Sequence, residues 1–90
     1  VRRRALTLLF ATLLVAGCGP VAPDPACASY VQCIGARDAG LGMDTDVSSY
    51  GDDGACWQNA DNAEHCTTAC QNGLSWVREN EAQLPVECAE

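Results

Sequence analysis

Seven cysteines in 90 residues constrain this chain more than any other feature. Usage that dense belongs to small exported domains stapled by disulfides, or to metal-binding knuckles. The apolar inventory shows why cross-links are needed. Beyond residue 17 the chain holds only nine Leu, Ile, Val or Phe residues, helped a little by Trp57, Trp76, Tyr30, Tyr50 and Met43. A core that small leaves little net stability once the conformational entropy of the chain is set against it.

The first residues form a separate segment. Arg2, Arg3 and Arg4 make a positive cluster, and 5–16 (ALTLLFATLLVA) is an uncharged apolar run. As a helix the run would cover ~18 Å, short of the ~30 Å hydrocarbon core of a bilayer, so it reads as a cleaved signal peptide. Leu14-Val15-Ala16-Gly17-Cys18 resembles the bacterial lipobox, a branched apolar residue and two small residues before Cys. The resemblance implies cleavage before Cys18, diacylglycerol on its thiol and an acyl chain on its amine. These are the only non-protein groups expected, and no other cofactor is. Each buried methylene adds ~0.8 kcal/mol, so two or three chains hold a protein to a membrane firmly. Gly19 stands where an Asp resembles an inner-membrane retention signal, which favours the outer membrane of a bacterial cell envelope. The expected division is a signal peptide over 1–17, a lipidated tether over 18–25 and a disulfide-rich helical domain over 26–90.

Assigning Cys18 to lipid leaves an even set: Cys27, Cys33, Cys56, Cys66, Cys70 and Cys88. An exported chain meets an oxidising compartment, where paired thiols persist as disulfides. Zinc would need thiolates and paired knuckles. Cys66-x3-Cys70 beside His65 lacks a second pair, and no C-x-x-C occurs to suggest a redox centre or covalent haem.

Two helices are expected. Asp24-Pro25 supplies an N-cap and a proline at the first helical position. Cys27, Tyr30, Val31 and Ile34 then follow i, i+3, i+4, i+7 spacing, so the first helix should run from Pro25 to about Arg37, with Gly40 and Gly42 beyond it. Residues 40–55 are rich in Gly, Asp and Ser and read as loop. Asp61 and Glu64 form a capping box for the second helix. Its stripe is Ala63, Cys66, Cys70, Gly73, Leu74 and Val77, and it should fade near Ala82, before Pro85. Gly73 inside that stripe costs ~1 kcal/mol of helix propensity and implies close approach of the other helix. The fold class expected is mainly α: a small disulfide-stabilised antiparallel helical hairpin following the signal peptide.

Six cysteines allow fifteen pairings, and the sequence alone does not choose among them. The preferred set is Cys27–Cys88, Cys33–Cys70 and Cys56–Cys66, of which the first two suit an antiparallel pair. A second arrangement, Cys27–Cys70, Cys33–Cys66 and Cys56–Cys88, resembles the twin-bridged hairpin of coiled-coil-helix domains, although the x5 and x3 spacings here are unequal. More widely, the lipobox together with Tyr30-x2-Cys33, Tyr50-Gly51-x2-Gly54-x-Cys56-Trp57 and Cys66-x3-Cys70 resembles a loose group of small cysteine-rich bacterial lipoproteins of uncharacterised function. That resemblance implies a location and no activity.

Charge narrows the partners. The chain carries −7 overall, and with three arginines in the leader the remainder sets Arg37 and Arg78 against twelve carboxylates, a net of −10. Phosphate backbones would be repelled, so nucleic acid is not an expected partner; the membrane is, through the lipid, and an envelope protein is a further candidate. Asp44, Asp46 and Ser48 have the 1, 3, 5 spacing of a calcium loop. Tyr50 offers a carbonyl at 7 and Asp52 falls at 9, but Ser49 occupies the glycine position and Ala55 that of the closing Glu. A weak calcium module is therefore the alternative to a binding or structural module. His65 has no nucleophile beside it once Cys66 is bridged, and no catalytic constellation emerges. Trp57 is expected against a bridge. Trp76, on the flank of the stripe, is expected at the core edge, with an exposed binding anchor as the second reading.

Overall fold

A computed structural model describes residues 19–89; the leader, the lipobox Cys18 and Glu90 lie outside the described residues. Among the described residues the chain is mainly helical, with no strand. Helix α1 spans Pro25–Leu41 and α2 spans Ala60–Asn80. Three short 3-10 turns lie at Ser48–Tyr50, Ala55–Trp57 and Val86–Cys88.

Local chemistry sets the helix ends. The Asp24 side chain accepts from the Ala26 N–H at 2.8 Å, with Pro25 opening the helix as expected. Helix α1 continues past Arg37 and through Gly40. It stops only at Gly42, whose φ of 68° lets its N–H turn back to the Asp38 carbonyl. The second helix starts two residues earlier than the sequence pattern implies. Asn59, not Asp61, is the cap, and its side chain accepts from the Asn62 N–H at 2.8 Å. Asp61 instead lies in the first turn, where a carboxylate favours the positive end of the helix dipole.

The helices run parallel, and this corrects the antiparallel expectation. Cys27 is bridged to Cys70, the Tyr30 ring abuts Gly73, and Arg37 pairs with Glu81. Along α1 the partner's number rises with the residue's own, by 43 at the bridge and 44 at the ion pair. In an antiparallel pair it would fall. The reason lies in the connection. Residues 42–59 can extend ~60 Å, more than twice the ~25 Å length of α1, so the chain has ample length to return to the start of α1 before α2 begins.

The return path follows α1 downwards. The Thr45 N–H donates to the Asp38 carboxylate at 2.7 Å, and Val47 packs on the cluster that holds Cys33 and Ile34. The Tyr50 ring meets Tyr30 edge-on, with centroids 5.4 Å apart, and Trp57 is buried with Cys27. As the loop number rises, the α1 partner falls from 38 to 27. After α2 the tail doubles back, and Cys88 is bridged to Cys33.

The disulfides observed are Cys27–Cys70, Cys33–Cys88 and Cys56–Cys66, with Cα separations of 5.1, 4.5 and 5.7 Å, all within the ordinary range. Each favoured set contains one of them: Cys56–Cys66 in the antiparallel set, Cys27–Cys70 in the coiled-coil-helix set. Cys27–Cys88 and Cys33–Cys70 fail because parallel helices place Cys27, not Cys33, beside Cys70, and Cys33–Cys66 fails because partner numbers rise together along the two helices. Sulfur makes most of the interior. The fully buried side chains are Cys27, Cys33, Cys56, Cys70 and Cys88, joined in the core by Ile34, Trp57, Leu74 and Val77. In the chain-entropy picture, bridges closing 43, 55 and 10 residues stabilise by about 4, 4 and 3 kcal/mol, which is decisive for so thin a core.

Candidate functional site

The start of the domain is tied down. The Val21 N–H donates to the Trp57 carbonyl at 2.9 Å, and Val21 packs on the cluster of Cys27, Cys56, Trp57 and Cys70. The stretch expected to be a tether is therefore docked from Val21 onward. Cys18 is separated from this fixed point by Gly19 and Pro20 alone, a reach of at most ~10 Å. Parallel helices then put both helix N-termini towards the end where Val21 docks, with both C-termini at the far end.

The far end carries exposed apolar side chains. Leu41, at 59% exposure, closes α1, and Leu84 and Val86 lie in the returning tail. Between them a groove of about 370 Å³ is lined by Leu41, Leu84 and Pro85 together with the polar Arg37, Glu81 and Gln83. Trp76 is 56% exposed, so its place is the surface reading and not the core edge. It borders a smaller groove with Tyr30, Ile34, Thr45 and Gly73. Trp57 is buried against the bridges, as expected, and its indole N–H donates to the Tyr50 carbonyl at 3.3 Å.

Both arginines among the described residues have structural partners. Arg37 binds Asp38 and Glu81, drawing the ends of the helices together. The Arg78 guanidinium donates to the Cys88 carbonyl at 2.7 Å and to that of Ala89 at 3.4 Å, fixing the tail. The exposed carboxylates, Asp44, Asp52, Asp53, Asp61, Glu79 and Glu87 among them, are left without an arginine, so the surface is acidic. Sequence reasoning missed Asp38, which is buried where the loop crosses α1. The Thr45 backbone N–H, reinforced by the Thr45 hydroxyl and by Arg37, holds its carboxyl below the usual range despite burial. Nothing in its spacing marks it, since its partner lies in the loop.

The acidic loop uses several of its oxygens internally. Asp46 accepts from the Ser48 N–H at 3.0 Å, and that bond lowers its pKa. The Tyr50 carbonyl, the seventh-position candidate, accepts from Trp57. Asp44 and Asp52 are exposed, and among the described residues no three His, Cys, Asp or Glu side chains converge as a metal site. His65 is exposed, 3.8 Å from Asp61 one turn away on the same helix. No helix among the described residues is long and apolar enough to cross a membrane. Compared with protein-family models, curated proteins and solved structures, the chain matches none.

Proposed function

We propose that the chain is a lipid-anchored module of a bacterial cell envelope, acting by binding or as a structural component. The observation that carries this reading is the sequence Leu14-Val15-Ala16-Gly17-Cys18 placed directly before a disulfide-stapled domain. The lipid on Cys18 would be its only non-protein group, with the outer membrane as its site. The docked Val21 supports a short connection, with the helix pair standing close on the bilayer. Parallel helices would then raise the mixed polar and apolar groove by Leu41, Leu84, Arg37 and Glu81 ~25 Å from the anchored end, where an envelope protein has access to it. The acidic surface disfavours anionic lipid headgroups and nucleic acid, so the acyl chains would supply the membrane affinity.

Substituting Cys18→Ala tests the anchor. The reading expects the precursor to stay uncleaved, the acyl mass to be absent, and the mature membrane-bound form to be lost. A C18A chain processed and fractionated like the parent would overturn it.

A further inference from the structure

The three bridges are not equally guarded. Cys27, Cys33, Cys70 and Cys88 have no exposed surface and Cys56 has 2%, whereas Cys66 is partly exposed on the first turns of α2. A cavity of about 210 Å³ opens beside this bridge, lined by Ser49, Ala55, Cys56, Asn62, His65 and Cys66. None of these lining residues carries a carboxylate, and the nearby Asp61 carboxylate faces the His65 imidazole at 3.8 Å. The same bridge closes 10 residues, against 43 and 55 for the others. Opening it enlarges the unfolded ensemble about tenfold less than opening either longer loop.

We propose that Cys56–Cys66 is a thiol–disulfide exchange site, attacked at the Cys66 sulfur by an external dithiol. The incoming thiolate forms a bond to Cys66 Sγ as the Cys56–Cys66 bond breaks, and the electron pair leaves on Cys56 Sγ, which takes up a proton. The reductant's second thiolate then attacks the sulfur of its own partner in the mixed disulfide and displaces Cys66 as a thiolate. The balance is one external dithiol oxidised to a disulfide and one protein disulfide reduced to two thiols. The fold survives the exchange. Cys27–Cys70 and Cys33–Cys88 still join α1 to α2 and to the tail, and the Asn62 amide still donates to the Ala55 carbonyl at 3.2 Å.

Graded reduction of the oxidised full chain with dithiothreitol, without denaturant, tests this. Released thiols are trapped with N-ethylmaleimide and located by peptide mapping. Cys56 and Cys66 are expected to be labelled ahead of the other four, because theirs is the bridge with an exposed member, with helical circular dichroism retained. Labelling of Cys27, Cys33, Cys70 or Cys88 first, or of all six together, would overturn the proposal. The variant C56S/C66S is expected to keep its helicity and lose the early labelling phase. Its unfolding would refute the claim that this bridge opens within a folded domain.

Discussion

Replacing Gly73 by Ala tests the helix packing at its tightest point. In an isolated helix the change should help, because glycine is about 0.5–1 kcal/mol less favourable than alanine. Here a Cβ on Gly73 would lie 2.5 Å from Tyr30 Cε1 and 3.1 Å from Cδ1. Real contacts do not come that close, so the ring or the helix must move. The ring is held in turn by Tyr50, packed edge-on at 5.4 Å. Overpacking of this kind costs about 1–3 kcal/mol, which outweighs the propensity gain. The net expectation is a loss of about 1 kcal/mol. Gly35 provides the control. It also lies within a helix, but a Cβ there meets nothing within 4 Å, so Gly35→Ala should stabilise by up to about 1 kcal/mol. Guanidinium unfolding of the oxidised variants measures both. Adding Tyr30→Ala should convert Gly73→Ala from harmful to helpful, giving a coupling of about 1–3 kcal/mol. Equal stabilisation by G73A and G35A would refute the close approach of α2 to Tyr30.

Other substitutions probe the polar contacts. Asp38 has a lowered pKa in the folded chain, so its contribution is fully present above the unfolded value near 3.8 and is lost as pH falls through the native value. The parent should therefore lose stability below about pH 4; Asp38→Asn should be less stable at neutral pH and show a shallower acid decline, measured by unfolding across pH. A double-mutant cycle on Arg37→Met and Glu81→Gln should give a coupling of about 1 kcal/mol that shrinks with added salt, since the pair is only partly shielded from water.

Much of the local structure was legible, because its causes lie within a few residues. Asp24-Pro25 starts α1 as expected, and the periodic stripe of α2 marks Cys70, Leu74 and Val77, all buried. Gly73 inside that stripe foretold the approach of α1. The helix direction was not legible. An antiparallel hairpin is the economical choice for a short connection, but residues 42–59 follow α1 back through contacts at Asp38, Tyr30 and Cys27 that carry no sequence signature. The disulfide pairing depended on that direction, so its errors followed from the same source. The cap shifted from Asp61 to Asn59 because both residue types cap well, and the capping-box spacing of Asp61 to Glu64 did not decide between them. Of the candidate site residues, Asp46 and Ser48 are brought together by a hydrogen bond, while the Tyr50 carbonyl is directed to Trp57.

Disulfide mapping of the intact oxidised protein, by proteolysis without reductant and mass spectrometry of the linked peptides, tests the architecture most directly. Parallel helices require Cys27 joined to Cys70 and Cys33 joined to Cys88. Peptides linking Cys27 to Cys88 and Cys33 to Cys70 would mean that α2 runs the other way.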